Sequence, residues 1–329
     1  MLQAWFTGVA PGADPFLVLL AALVVDAAYG DPDWLYRLVS HPAVIFGRCI
    51  DAGERWLYGA EATGAAQRFR GGLLTLIIVI GAYGTGLVIS LVLARFPGGW
   101  ILEAIVASSL ISYRGLYDHV KAVGLGLDSS LAEGRAAVGH IVGRDPETLD
   151  APAVARAAVE SLAENFSDGL VAPVFWYLLL GLPGLYAYKA LNTADSMIGQ
   201  RTPRYEDFGK AAARLDDGAN YLPARLAGGL FVAAAAVTPG ADASRAWRTM
   251  VRDAPKHRSP NAGWQEAAVA GALGLALAGP RVYGGATVED HWMGDGTAAP
   301  TTADIDRALK LYIAAGGLLA ALIALGWLI

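Results

Sequence analysis

The sequence predicts an all-α protein, a polytopic integral membrane helical bundle with re-entrant or half-helices and helical cytoplasmic segments. Three observations carry this expectation. The chain is 55% hydrophobic and only 17% charged, against about 25% charged residues in a soluble domain, so it has too little polar surface to cover itself in water. Segments 71–94 and 308–329 each supply the roughly 20 predominantly apolar residues that a spanning helix requires. Shorter apolar segments, rich in Gly and Ala or interrupted by Pro, alternate with polar ones along the rest of the chain. The whole reads as one membrane-embedded catalytic domain, residues 1–329, whose polar segments 31–70, 113–168, 191–221, 241–266 and 281–307 form the site face.

In chain order, the apolar run 16–25 meets Asp26, Gly30, Asp31 and Pro32 where a signal peptide would carry a cleavage site, so it is expected to be a retained structural element. Segment 71–94 follows as a span, and 100–112 as a weaker candidate. The polar segment 113–168 looks helical. Asp145-Pro146-Glu147 and Asp150-Ala-Pro152 both offer an N-cap followed by proline, and an Ala-rich helix over 152–165 is expected to stop near Gly169. Segment 170–190 contains Leu180-Gly-Leu-Pro183-Gly184, a turn signal inside an apolar run, which predicts a re-entrant hairpin in place of a straight span. Segments 222–237 and 267–278 are further weak candidates, in which Gly228, Gly229, Gly271 and Gly274 would let helix backbones approach closely.

Composition also excludes. A net charge of -5 with interleaved acids and bases gives no basic surface for nucleic acid. The single cysteine, Cys49, rules out an intramolecular disulfide and a thiolate-rich metal site, and is expected to be a small packing residue. His119, His140 and His291 lack zinc-ligand spacing. There is no P-loop, no Gly-x-Ser-x-Gly elbow and no internal repeat. Arg37, Arg48, Arg55, Arg68 and Arg70, and a second cluster from Arg245 to Arg258, place both polar segments in the cytoplasm by the positive-inside rule.

Charge is densest between Lys189 and Arg225, where Asn192, Asp195, Arg201, Arg214, Asp216, Asp217 and Asn220 lie between two apolar segments. Charged groups near a bilayer are costly unless paired, hydrated or used, so this density points to a site. Adjacent Asp216 and Asp217 near the end of a helical stretch repel one another and require a cation, from Arg214 and Arg225 or from a metal-bound phosphate. Arg156, Glu160 and Glu164 share one helix face, with Asp168 just beyond, which fits either a salt-bridged surface or magnesium ligation. Lys256-His257-Arg258-Ser259-Pro260-Asn261 sets cations, a hydroxyl and an amide before a helix start, an arrangement suited to phosphate or carboxylate. His41, near Arg48 and Asp51, is a weaker signal. Carboxylates, cations and amides without an activated serine or cysteine suit chemistry on phosphorylated substrates with a hard metal ion.

Several stretches, in one order, resemble the CbiB/CobD family of cobalamin biosynthesis: His41-Pro-Ala-Val-Ile-Phe-Gly-Arg48, Gly143-Arg144-Asp145, Glu160-Ser-Leu-Ala-Glu164-Asn165, Asp168-Gly-Leu-Val-Ala-Pro173, Asn192-Thr-Ala-Asp195-Ser-Met-Ile-Gly199, Ala213-Arg-Leu-Asp216-Asp217 and Ser259-Pro-Asn261-Ala-Gly263-Trp264. Tyr283-Gly284-Gly285 and Gly294-Asp295-Gly296 fit the closing segment, so the resemblance spans most of the chain. It implies an integral-membrane adenosylcobinamide-phosphate synthase, which joins the free propionate of adenosylcobyric acid to the amine of aminopropanol phosphate, or aminopropanol, at the expense of ATP. On that reading ATP and Mg2+ are required, and the corrinoid, aminopropanol phosphate, the lipid bilayer and later cobalamin-assembly enzymes are the partners. The protein would sit in the cytoplasmic (inner) membrane as a multi-pass chain with its active site facing the cytoplasm.

Residue chemistry then assigns metal and nucleotide handling to Glu160, Glu164, Asp168, Asp195, Asp216 and Asp217. Anion and substrate binding falls to Arg48, Lys189, Asn192, Arg201, Arg214, Asn220, Arg225, Lys256, Arg258, Ser259 and Asn261, and proton transfer to His41 or His257. Two other classes compete. A transporter would share the broken helices but predicts paired halves. A magnesium-dependent intramembrane prenyl or phosphoalcohol transferase would want a third acid where Asn220 stands.

Overall fold

The computed structural model describes residues 14–143, 145–283, 286–288 and 290–329. Arg144, Gly284 and Gly285 of the family-like motifs lie outside the described residues. The helices are α1 (Pro15–Tyr29), α2 (Asp33–Tyr36), α3 (Pro42–Leu57), α4 (Gly64–Leu93), α5 (Gly99–Ser108), α6 (Tyr113–Ser129), α7 (Leu131–Val138), α8 (Ala151–Phe166), α9 (Ala172–Ile198), α10 (Lys210–Ala235), α11 (Ala243–Asp253), α12 (Ala262–Leu273) and α13 (Thr302–Leu328). Helical membrane architecture is thus the observed class. Gly64–Leu93, Ala151–Ile198 and Thr302–Leu328 are long and apolar enough to cross a bilayer.

The described residues group into two compact units. One comprises residues up to Ser112 with Ala172–Asn220 and Ile323–Ile329; the other comprises Tyr113–Val171 and Tyr221–Leu322.

In the first unit, Thr63 opens α4 by accepting the Ala66 N–H on its hydroxyl. The apolar face of α4 packs along α9. Gly86 meets the backbone at Leu182 and Pro183, where a Cβ would stand 2.8 Å from the Pro183 Cα. Here α9 breaks: Gly181 takes φ 66° and ψ -159°, a conformation closed to side chains with a Cβ. A Cβ on Gly184 would lie 2.6 Å from the Trp176 carbonyl oxygen, although eight residues of straight helix would separate the two by about 12 Å. The chain therefore folds sharply at the Gly-Leu-Pro-Gly signal, as the re-entrant expectation requires.

Beyond the break, Ala194 and Ile198 join Ile50, Leu74, Phe208 and Ala212 in a buried cluster. Phe208 is fully buried, and its truncation to alanine would cost about 3–5 kcal/mol. This cluster locks the start of α10 against the end of α9. The loop between them is held by Arg204, which donates from Nε and Nη2 to Glu54 Oε1 at 2.9 and 2.7 Å, and by Arg68 Nε to Asp207 Oδ1 at 2.6 Å.

Cys49 is exposed, contrary to its expected packing role. It lies with Trp56 and Ile77 in an open groove lined by α3, α4 and Tyr186 of α9.

The second unit is built around α12, every residue of which except Trp264 is buried. Its last carbonyls are satisfied by two guanidinium groups. Arg245 Nε donates to the Gly271 oxygen at 2.6 Å, and Arg307 Nη2 to the Leu273 oxygen at 3.0 Å. Segment 267–278 is therefore no span: its helix ends at Leu273, Gly274 turns the chain at φ 72°, and a strand follows.

Four short strands modify the all-α expectation. β1 (Leu277–Ala278) pairs antiparallel with β4 (Trp292–Met293), Leu277 opposite Met293, and β2 (Arg281–Tyr283) with β3 (Ala286–Val288). Positive-φ glycines at 274, 279 and 294 prevent helix in this stretch.

α8 starts where Asp150 accepts the Ala153 N–H, as its sequence predicts, whereas Pro146–Thr148 makes only one 3₁₀ turn. The expected stop near Gly169 is absent: the chain widens into a π-helical turn at Ser167–Val171 and continues. Gly169 is buried and followed by apolar Leu170 and Val171, so a polar exit is not available there. Phe166, fully buried, packs on Phe231 and Tyr312 at ring-centroid distances of 4.5 and 5.4 Å.

Candidate functional site

The polar cluster of the first unit is a chain of four side chains from α9 and α10. Tyr188 donates its hydroxyl to Asn220 Oδ1 at 2.9 Å, and Asn220 donates Nδ2 to Asp216 Oδ2 at 2.9 Å. Asn192 Nδ2 reaches Asp216 Oδ1 at 3.4 Å. The geometry follows from helix period: Tyr188, Asn192 and Asp195 share one face of α9, and Asp216 and Asn220 are one turn apart on α10. Asp216 is 8% exposed and Asn220 2%.

Both donors to Asp216 are neutral amides, and no guanidinium or ammonium among the described residues is hydrogen-bonded to it. Burial, then the Asp195 charge, pushes its carboxyl up to about 7, against the opposing pull of the two amides. Asp217, on the exposed edge of the same turn, is also pushed up by partial burial, while Arg201 draws it down. Asp195 sits in the last turn of α9, and Gly199 makes that possible, because a Cβ there would collide with the Asp195 carboxylate. Lys189 is half-buried one turn before Thr193, whose hydroxyl donates to the Lys189 carbonyl at 2.7 Å. The structure thus brings Asn192, Asp195, Arg201, Asp216, Asp217 and Asn220 together. Tyr188 completes the chain; its signal was the four-residue spacing to Asn192, masked by an aromatic ring that reads as core.

Three other expected members of this unit have different surroundings. Arg214 is exposed on the side of α10 away from Asp216. His41 caps α3: its Nδ1 accepts the Ala43 N–H at 3.1 Å, and its Nε2 lies 3.6 Å from Asp31. Arg48 is exposed and, among the described residues, reaches only Ser40 Oγ at 3.3 Å.

In the second unit, Glu160 is a clasp. It lies 3.8 Å from Arg156 and accepts the Ala278 N–H at 2.7 Å, tying β1 to α8. Glu164 is exposed and Asp168 half-exposed, on the last turn of α8 and in the π-helical turn. Lys256 Nζ is held by Asp253 at 2.9 Å. His257 Nδ1 accepts the Ser259 N–H at 3.0 Å, and its Nε2 faces Glu266 at 3.7 Å, both carboxylate and ring being buried. Ser259 Oγ takes the N–H groups of Asn261 and Ala262 at 3.2 Å each, occupying two amides at the α12 start. Arg225 stacks on Tyr221 and Trp264, 3.5 and 4.6 Å from the ring centroids, and touches Asn261 Oδ1 at 3.4 Å. Arg258 is exposed with no ion-pair partner among the described residues. Asp253, which the sequence reading passed over, is 3% exposed and gathers Arg252, Lys256 and the Gly294 N–H.

No cluster of three or more His, Cys, Asp or Glu side chains suited to a metal occurs among the described residues. A closed protein cage is therefore absent from them. Magnesium that keeps its waters and phosphate oxygens needs only one or two carboxylates, and the neighbouring Asp195 and Asp217 fit that need without Asp216.

The chain is similar to known proteins over most of its length. The family model described as CobD/Cbib protein matches residues 19–312. A Sinorhizobium sp protein called "Cobalamin biosynthesis protein CobD" is 50% identical over 303 residues, 91% of this chain and 94% of the relative. Relatives with the same description from Rhizobium meliloti (strain 1021) and Brucella suis biovar 1 are 48% and 49% identical, covering 92% and 90% of this chain and 94% and 92% of their own lengths. No solved structure gives a significant match.

Proposed function

As the chain belongs to the CobD/Cbib family of cobalamin biosynthesis proteins, we propose that it is a ligase joining the free propionate of adenosylcobyric acid to the amine of (R)-1-amino-2-propanol O-phosphate, with ATP. The observation that supports this most directly is the buried Asp216, surrounded by amides and further carboxylates in place of a cation.

Amide formation poses two problems that this cluster can address. The amine arrives as an ammonium and must lose a proton before its lone pair can attack the activated carboxyl. A carboxylate titrating near 7 is matched to that transfer at cellular pH. Asp216 Oδ1, reached by Asn192 only at 3.4 Å, is the oxygen less engaged and so the one to take the proton. Asn220, fixed by Tyr188, holds the other oxygen and orients the carboxyl. Each histidine has its Nδ1 committed to a helix cap or a turn and its Nε2 turned to a carboxylate, which favours Asp216 over His41 or His257 for this role.

The second problem is charge. Arg201 and Lys189 lie on the same side of the cluster as Asp217 and Asn192 in sequence register, and we assign to them the phosphate and carboxylate groups of the substrates. Asp195 and Asp217 would hold magnesium, which when bound neutralises charge on nucleotide phosphates and leaves Asp216 outside the metal shell to take the proton. In the second unit Arg258, without a partner among the described residues, is the cation best placed to accept an anion, whereas Lys256, Arg225 and Glu160 have structural partners. The ATP requirement places the site on the cytoplasmic side of the inner membrane in this reading. The bilayer would gather later assembly enzymes around the large corrinoid.

The reaction is tested by incubating detergent-purified protein with adenosylcobyric acid, aminopropanol phosphate and Mg-ATP. The expected result is a corrinoid of the mass of adenosylcobinamide phosphate with stoichiometric ADP. A folded sample that yields neither would overturn the assignment.

A further inference from the structure

The first unit carries a groove that shares only Tyr188 with the polar cluster among the described residues. It lies between α4, both halves of α9 and the first turns of α10, and has a volume of about 640 Å³. Ile80 and Tyr83 form one wall, Trp176 and Leu180 another, and Leu215 a third, with Arg214 at the rim. Trp176 Nε1 donates to the Ala219 carbonyl at 3.2 Å, which fixes the indole against α10.

The groove has a polar end and an apolar end. Gly72 and Ala211 are in contact, a Cβ on the former standing 3.7 Å from the latter's. Lys210 and Arg214, one turn apart on α10, are therefore level with the start of the span α4, next to its basic turn at Arg68 and Arg70. From there the groove follows α4 into its hydrocarbon-length segment, past Leu76 and Ile80, which are 54% and 60% exposed. Arg68 is neutralised by Asp207. Lys210 and Arg214 have no ion-pair or hydrogen-bond partner among the described residues.

We propose that this groove seats one anionic phospholipid, with its phosphate on Arg214 and Lys210 and an acyl chain along α4. Charge complementarity selects the occupant. Two unneutralised cations at the polar end of a spanning helix attract an anionic headgroup, and a basic pocket between such helices is the usual form of a specific lipid site. The wall offers almost no polar atoms for the amides of a corrinoid, so substrate is a poor fit. Asp216 and Asn220 project from another face of α10. The inference rests on the fold alone and is independent of the ligase reading.

The test uses the full chain in nanodiscs of mixed phosphatidylglycerol and phosphatidylcholine, with retained lipids counted by native mass spectrometry after transfer to mild detergent. One phosphatidylglycerol is expected to stay bound in preference to phosphatidylcholine. Lys210→Gln should lower its occupancy about fivefold, and Arg214→Gln by a similar factor, while Arg214→Lys retains it. Gly218→Leu, at a position where a Cβ meets open space, should expel the chain without altering charge. Equal retention of the two lipids would overturn the proposal, as would occupancy unchanged by Lys210→Gln or by Gly218→Leu. Displacement of the lipid by the corrinoid would reassign the groove to substrate. Lys210→Gln alters one partnerless side chain and serves as the variant whose folding is least at stake.

Discussion

Asp216 and Asp253 are both buried aspartates on helices, 8% and 3% exposed, yet their surroundings drive them in opposite directions. Asp253 is desolvated, but hydrogen bonds from Arg252, Lys256 and the Gly294 N–H outweigh that and hold it down to about 2. Asp216 receives two neutral amides and faces another carboxylate, and it rises to about 7. Burial is common to both, so partners decide. A buried acid whose partners over-compensate it is architecture: Asp253 joins the end of α11 to the Gly294 turn. A buried acid left short of cations is poised for a ligand that brings them, and such imbalance concentrates at functional sites.

The largest expected effect breaks the architectural member. Asp253→Ala leaves Arg252, Lys256 and the Gly294 N–H without their acceptor, and because both cations are about half exposed the loss should be about 2 kcal/mol rather than the larger penalty of a fully buried pair. Thermal unfolding in detergent checks it.

Opposite pH slopes come next. A carboxyl raised in the folded state contributes stability that is present below its ordinary range, about pH 4, and is lost as pH rises through about 7. Asp216→Asn should therefore flatten the decline in melting temperature between pH 4 and 7. Asp253, depressed in the folded state, contributes stability that is present above about pH 4 and lost as pH falls through about 2. Its replacement by Asn should leave the neutral slope unchanged.

Asn220→Ala sharpens the comparison within the site. It removes the 2.9 Å donor to Asp216, so the acidic limb of the pH-rate profile should move upward by about one pH unit. The smallest effect is expected at Arg48→Gln, whose exposed side chain reaches only Ser40 among the described residues; stability should change by less than about 0.5 kcal/mol. A large fall in turnover there would draw α3 into the site.

Much of this contrast was legible in the sequence on one side only. The density of charge from Lys189 to Arg225 marked the functional cluster, because Asn192, Asp195, Asp216 and Asn220 are brought together by helix spacing and one short connection. The break at Gly181 was equally visible, since glycine and proline act locally. Asp253 was not, because what defines it is the Gly294 N–H, 41 residues away. Glu54 likewise draws its meaning from Arg204, 150 residues on. Glu160 looked like a metal ligand until β1 supplied the Ala278 N–H across 118 residues. Short strands carry too little periodicity to be foreseen in a glycine-rich segment, so the role of Glu160 as a clasp was not written in its own helix.

The central claim, that the under-neutralised acid is the reaction centre and the over-compensated one is structural, is tested most directly by turnover per folded molecule in two variants. Asp216→Asn and Asp253→Asn would each be purified, their folded fraction measured at low temperature, and adenosylcobinamide phosphate and ADP followed with saturating Mg-ATP. Asp216→Asn is expected to lose at least about a hundredfold in turnover while remaining folded, and Asp253→Asn to keep the wild-type rate per folded molecule. Wild-type turnover in Asp216→Asn, or its abolition in folded Asp253→Asn, would contradict the account.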